Sequence, residues 1–223
     1  MASRKEPKQA RSNELVSAIL DAAVQVLAKE GAPRFTTARL AERAGVSVGS
    51  LYQYFPNKAA ILFRLQSDEW RQTTDMLRAT LEDAQTPPPQ RLRALVHAFI
   101  QSECAEADVR GALDDAAPLY RDAPEAKKAK ASSARSMENF MREALPRASK
   151  VQQALAAGLI KTTLSAVGKQ FSETPRTKAE IAEFADALAD MFCAYLDGIT
   201  NPHARPGASG AKRARQTSRT SST

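Results

Sequence analysis

The 223 residues predict an all-α protein. Apolar side chains recur at helical spacing through one stretch after another, and no stretch alternates as a half-buried strand does. Gly, Pro and capping residues punctuate the chain at helix-length intervals. No internal repeat is present. The pattern divides the chain into a basic arm (1–11), a three-helix head (12–58), a helical body (59–200) and a basic tail (201–223).

Met1 to Arg11 is polar and carries Arg4, Lys5, Lys8 and Arg11, which suit a flexible arm making weak phosphate contacts. Ser12 or Asn13 can cap the first helix. Leu15, Val16, Ile19, Leu20, Ala23, Val26 and Leu27 give that helix a wide apolar stripe, and Gly31 stops it. It reads as scaffold, the floor on which Leu40, Leu51 and Phe55 pack.

Thr36 to Lys58 reads as helix, turn, short helix and a new helix start. Thr36 and Thr37 are both suitable N-caps. Leu40, Ala41 and Ala44 form the apolar stripe, and Gly45 supplies the positive φ that ends the helix. Val46 suits a buried turn position, and Ser47 can cap the short helix. That helix holds Val48 to Phe55, because Pro56 forces its predecessor out of helical geometry. At about 100° per residue, Leu51 and Phe55 lie roughly 40° apart and point into a core. Gly49, Ser50 and Gln53 point the other way, with Tyr52 and Tyr54 on the flanks. The outward face therefore has no carboxylate. A helix-turn-helix offers such a face to a major groove. Gly49 allows close approach, Gln53 can pair with a base edge, and the tyrosines and Lys58 can bind phosphate oxygens. Two amphipathic helices packed in an ordinary bundle remain the alternative on pattern alone.

Asn57 caps the next helix, which runs from Lys58 to about residue 84 with Ile61, Leu62, Leu65, Trp70, Met76, Leu77 and Leu81 as apolar positions. A helix of that length spans roughly 40 Å and links head to body as a lever. After the break at Thr86 to Pro89 come helical stretches from Gln90 to about Asp108, Gly111 to Arg121 (interrupted by Pro118), Pro124 to Leu145, Ser149 to Phe171 and Thr177 to Ile199. The last two are Ala-rich and apolar around more than one face. Ala182, Ala185, Ala189, Gly158 and Gly168 permit close helix approach. That pair is either a core hairpin or half of a symmetric four-helix dimer interface. DNA reading favours the dimer, since two-fold pairing doubles a short site at a spacing near ~34 Å.

The stretch Phe35-Thr36-Thr37, Leu40-Ala41, Ala44-Gly45-Val46-Ser47, Gly49-Ser50-Leu51-Tyr52, Tyr54-Phe55 and Lys58 resembles the DNA-binding segment of the tetracycline-repressor (TetR) family. The resemblance covers about 50 residues with the preceding helix included and ends near residue 65. It implies that Thr37 caps the second helix against a phosphate. Ser47, Tyr52, Tyr54 and Lys58 would clamp the backbone, and Gly49, Ser50 and Gln53 would face bases. Ala38 and Val48 depart from relatives that carry long polar or basic side chains there. The resemblance also implies an inducer site in the helical body, without residue-level correspondence.

Charge is uneven. Residues 1–70 carry +3, residues 71–200 carry −1 and residues 201–223 carry +5, so the excess sits at the ends, as polyanion binding favours. The tail is too polar to bury a core and is expected to be disordered. Cys104 and Cys193 fit reduced thiols rather than a disulfide scaffold. No apolar run reaches membrane-spanning length and no signal peptide is visible, so a cytoplasmic protein is the default expectation.

Nothing argues for catalysis. Of two His, His203 lies in the tail, and His97 shares an apolar helix face with Cys104, too few ligands for a closed metal site. A buried, satisfied histidine is the expectation. No phosphate loop or nucleophile elbow occurs, and no cofactor is expected. Trp70, His97, Phe99, Cys104, Tyr120, Met137, Phe140 and Met141 are candidate walls of an effector pocket, though each such residue is more often plain core than pocket.

These observations predict a helix-turn-helix DNA-binding domain followed by a helical ligand-binding and dimerisation domain. The expected function is a dimeric, ligand-responsive transcriptional regulator, most simply a repressor released by a small molecule. Its expected DNA-contacting residues are Thr36, Thr37, Ser47, Val48, Gly49, Ser50, Tyr52, Gln53, Tyr54 and Lys58. Its partners are a palindromic DNA operator, an effector and a second copy joined through 149–171 and 177–199. A constitutive or architectural DNA binder, or an all-α enzyme or interaction module, are the rivals.

Overall fold

A computed structural model describes residues 8–116 and 123–201. The first seven residues, Pro118, Tyr120 and the stretch after Asn201 lie outside that description, and with them most of the expected arm and tail. The described residues form helices α1 (Lys8–Glu30), α2 (Thr37–Ala44), α3 (Val48–Tyr54), α4 (Lys58–Leu81), α5 (Pro88–Ala105), α6 (Ala107–Ala116), α7 (Pro124–Ala144), α8 (Lys150–Ser172) and α9 (Lys178–Thr200), with a short 3-10 turn at Ala32–Arg34.

Local chemistry sets most boundaries. Asn57 accepts from Ala60 N–H at 2.9 Å and starts α4. Ser149 with Gln152 and Thr177 with Glu180 form capping boxes that start α8 and α9. Several boundaries differ from the sequence reading; α3 ends at Tyr54 with Phe55 as its C-cap, and α6 begins at Ala107, four residues before the expected Gly111, where α5 has already ended at Ala105. Helix α1 begins at Lys8, so Ser12 and Asn13 lie inside it. Helix α5 begins within the Pro run, because Pro88 and Pro89 occupy the first turn, where a missing N–H loses no intrahelical bond.

Two apolar clusters form. The head cluster joins Ile19, Ala23, Val26 and Leu27 of α1 to Phe35, Leu40, Leu51, Phe55, Ile61 and Leu65. Leu113 of α6 completes it, so α6 belongs to the head's core although it lies far along the chain. The distal cluster is built from α5, α7, α8 and α9, around Leu92, Val96, Phe140, Ile160 and Phe192. Helix α4 reaches both, as the lever expectation requires. Between its head and distal contacts α4 buries polar Gln66 and Thr74; Glu103 of α5 is buried against Arg110, and Ser136 of α7 is buried beside Glu82, just past the distal end of α4. Gln66 Nε2 donates to Glu69 at 3.0 Å, and the Thr74 hydroxyl lies 3.2 Å from that of Ser133.

Helices α8 and α9 do not form the simple core hairpin weighed from their composition. Each packs principally against other partners, α9 on α5 and α8 on α5 and α7. The two meet at their turn, where Phe171 and Phe184 stack 3.9 Å apart. Gly168 serves α5 instead: a Cβ there would lie 3.1 Å from Phe99 and 3.3 Å from Ile100 and Glu103. Gly158 faces open space.

Candidate nucleic-acid interface

Helix α2 places α3. Thr36 in extended geometry accepts from Arg39 N–H at 3.3 Å and is the N-cap. The resemblance-based assignment of the cap to Thr37 is therefore corrected: Thr37 is the first helical residue, and its hydroxyl lies 3.2 Å from the Tyr52 phenol. Gly45, at φ 69°, ends α2, and its N–H bonds Ala41 and Glu42 carbonyls. A side chain there would strain the turn that aims α3.

Ser47 caps α3 by accepting from Ser50 N–H at 3.0 Å, and its hydroxyl also lies 2.8 Å from that of Ser50. Ser50 is half-buried, so this hydroxyl is shared with the cap before any base. Leu51 is fully buried and Phe55 is 6% exposed. At about 1.5–3 kcal/mol per buried large side chain, this pair fixes which face of α3 looks outward. Tyr52 is 48% exposed and Val48 40% exposed, with Gly49 and Gln53 also in solvent. Tyr54 leans against the head cluster and is half-buried.

A brace absent from the sequence reading holds the α1–α2 angle. Glu30 takes ion pairs from Arg39 and from Arg43, the latter at 2.9 Å. No local spacing announced it, since the partners lie 9 and 13 residues away. Burial raises the Glu30 carboxyl, but the hydrogen bond and charge of Arg39, together with Arg43, hold it below the ordinary 4.5. A depressed carboxylate stabilises above its unfolded value, and that contribution is lost as pH falls through the folded one. The urea midpoint is therefore expected to fall more from about pH 6 to about pH 3.5 in the native chain than in Glu30→Gln; parallel curves contradict the brace.

The electrostatics of three successive helix starts agree. None of α2, α3 and α4 has an acidic residue in its first turn, where the helix dipole favours one. Helix α4 instead opens on exposed Lys58. A cation at that end opposes folding and suits an external anion.

The other candidate residues disperse. Met137, Phe140 and Met141 sit in the distal core at 7%, 2% and 0% exposure, and Phe99 packs against it. Trp70 is half-buried on α4. His97 is satisfied but not buried: its Nε2 lies 2.9 Å from Asp186 with the ring 30% exposed. Burial pushes the Cys104 and Cys193 thiols up, away from thiolate chemistry. Tyr120 lies outside the described residues. Met141 lines one crevice, together with Glu138, Arg142 and Lys150. Among the described residues no group of three or more metal-ligating side chains occurs, and no helix is long and apolar enough to cross a membrane.

An exposed reading helix on a three-helix head, joined by α4 to a helical body, defines the helix-turn-helix class of two-domain regulators. A profile described as "Bacterial regulatory proteins, tetR family" matches residues 19–65, and one described as "Tetracyclin repressor-like, C-terminal domain" matches residues 87–199. The chain belongs to the TetR family of bacterial transcriptional regulators.

The chain is 34% identical over 68 residues to the fatty acid metabolism regulator protein of Bacillus subtilis, covering 30% of this chain and 35% of that one. It is 55% identical over 42 residues to the nucleoid occlusion factor SlmA of Vibrio campbellii, covering 18% and 21%. The chain thus spans about a third or less of these relatives' length. The fatty acid degradation regulator FadR of Bacillus halodurans superposes with TM-score 0.60 at 21% identity, over 85% of this chain and 96% of that one. A TetR-family regulator of Mesorhizobium loti gives 0.64 at 20% identity, over 85% and 98%. FadR of Bacillus subtilis, solved with stearoyl-CoA, gives 0.59 at 16%, over 79% and 96%. At these identities the likeness is one of fold.

Proposed function

We propose that the chain is a dimeric, effector-responsive DNA-binding regulator, most simply a repressor, whose α3 enters the major groove. The observation that carries this is the outward face of α3: Val48, Gly49, Tyr52 and Gln53 in solvent, without a carboxylate, beside three helix starts free of acids. In this reading Thr36, Thr37, Ser47, Tyr52, Tyr54 and Lys58 hold phosphates, while Val48, Gly49, Ser50 and Gln53 meet base edges.

The second copy docks on α8 and α9. Val151, Leu155 and Leu159 recur every four residues along α8 at 78%, 64% and 46% exposure, and Met191 of α9 is 50% exposed. Such a strip supports a two-fold interface. Open space at Gly158, between Leu155 and Leu159, allows the partner helix to approach closely.

An effector enters the body near the buried Gln66 and Glu103. A cavity of about 240 Å³ lies there, lined by Gln66, Glu69, Glu103, Arg110 and Ser165 among others. Its lining favours a ligand with hydrogen-bonding groups over a bare hydrocarbon. Tilting α4 then changes the separation of the paired α3 helices, and a coupling of about 1–3 kcal/mol releases DNA roughly 5- to 150-fold. A stabilising ligand in a thermal-shift screen of metabolites supports this part; a constitutive binder gives none.

Tyr52→Ala with Lys58→Ala is expected to weaken gel-shift binding to the DNA upstream of the gene by on the order of ten- to a hundredfold, without loss of folding. Unaltered affinity contradicts this surface. Gly49→Ala separates folding from binding. A Cβ at Gly49 meets nothing closer than Ser47 Oγ at 3.8 Å, so the helix gains about 0.5–1 kcal/mol. Stability is expected to rise while affinity falls; unchanged affinity contradicts close approach of DNA at this point.

A further inference from the structure

We propose that Arg110 is the positioning residue that sets the DNA-reading head against the body. The geometry stands without the DNA-binding reading, and only its regulatory consequence rests on it.

Helix α6 is shared between the two halves of the molecule. One side of it faces the head core: Leu113 is 2% exposed within the head cluster, and Val109 and Ala112 pack against that cluster. Arg110 meets the body. Its Nη1 donates to Glu69 of α4 at 2.7 Å and to Glu103 of α5 at 2.9 Å. Its Nη2 donates to the Ser102 hydroxyl at 2.8 Å and to Glu106 at 3.0 Å. One planar guanidinium therefore ties α6 to both α4 and α5. The tie is well shielded, with side-chain exposures of 18% for Arg110, 16% for Glu69 and 11% for Glu103.

Helix α6 follows α5 after the single residue Glu106, and gaps border it on two sides. The cavity of about 240 Å³ opens on its α5 and α8 side, and a second crevice of about 300 Å³ opens toward α1 and α4. Arg110 lines both. Apolar surfaces bordered by such gaps slide gradually, whereas a fork with four oxygen partners holds one arrangement. Three carboxylates converge on this one guanidinium. Without it the three carboxylates lose their shared cation, Glu69 keeping the Gln66 amide and the Thr73 hydroxyl as neutral donors, and the link from α6 to α4 and α5 weakens. An effector that displaces the guanidinium thus frees α6, and with it Leu113 and the head. The same residues line the cavity and the tie, so occupancy and head position are coupled at one point.

The test is amide hydrogen exchange of the full-length protein without DNA, comparing the native chain with Arg110→Met. Amides of α1, α2 and α3 are expected to exchange about tenfold faster or more in the variant, with α8 and α9 unchanged within about twofold. Unchanged exchange in the head, or equal acceleration in α8 and α9, overturns the proposal, since the latter marks general destabilisation. If Arg110→Met does not fold, Arg110→Lys keeps the charge and loses the fork. A smaller acceleration confined to the head is then expected, and rates equal to the native chain's overturn the proposal. Because no DNA is present, failure of the DNA-binding reading leaves this result intact, and the reverse holds as well.

Discussion

Leu155→Glu with Leu159→Glu is expected to convert a dimer to monomers and to lower operator affinity by a factor on the order of 10²–10⁴. Both side chains project from α8 into solvent in the single chain, at 64% and 46% exposure, so the substitutions leave the protomer's core intact. In a two-fold dimer each residue counts twice. Each is already partly covered in the single chain, so at about 1.5–3 kcal/mol per fully buried leucine the four supply roughly 3–7 kcal/mol of the association free energy. The variant removes that amount and adds carboxylates facing carboxylates. The effect on DNA follows from linkage: each head grips one half-site, and joining two heads multiplies affinity by the effective concentration of the second. Sedimentation measures the first effect and gel-shift the second. A variant that stays dimeric places the interface elsewhere. A monomeric variant with native affinity contradicts two-headed binding.

Arg91→Ala is expected to destabilise the chain by about 3 kcal/mol, against less than about 1 kcal/mol for Arg78→Ala. Arg91 is 2% exposed. Its Nη1 donates to the Leu81 carbonyl at the end of α4 at 2.6 Å, Nη2 pairs with Glu143 of α7, and the guanidinium lies 5.6 Å from the Phe140 ring centre. Removing it strands a buried carbonyl, leaves a void beside Phe140 and takes a cation away from a helix C-terminus. Glu143 is half-exposed and returns to water, which keeps the loss below that of a fully buried pair. Arg78 pairs with Asp75 at 3.0 Å, but both are more than half exposed, and water screens the pair. Urea denaturation compares the two. Equal losses contradict the account of Arg91 as the cap that closes α4 onto the distal core.

The head was legible because its signals are local. Gly45, Ser47, Asn57 and Pro56 each dictate backbone geometry within a turn, and the Leu51–Phe55 pair orients α3 without reference to anything distant. Between Thr36 and Thr37, either residue satisfied the capping pattern; Thr36 caps by accepting from Arg39 N–H, and Thr37 lies instead 3.2 Å from the Tyr52 phenol, a contact no spacing encodes. The body was legible as helices and far less as a site. Met137, Phe140 and Met141 have the same spacing whether they wall a pocket or fill a core, and they fill a core. Arg91 and Glu103 did carry a signal, because each lies on the apolar stripe of α5 with Leu92, Leu95, Val96 and Ile100. A charge on such a stripe marks a buried pair. Arg110 carried none: its partners come from α4 and α5, and the sequence left it in the gap between Asp108 and Gly111.

Selection of bound sequences from random duplex DNA by the full-length protein addresses the α3 surface and the two-fold pairing together. Enriched sequences are expected to form a palindrome whose half-sites lie near one helical turn, about 34 Å, or a multiple of it apart. Repeating the selection with Gln53→Ala is expected to change base preference within the half-sites while keeping their spacing. Enrichment without two-fold symmetry, or a palindrome indifferent to Gln53, Tyr52 and Gly49, contradicts DNA reading by α3.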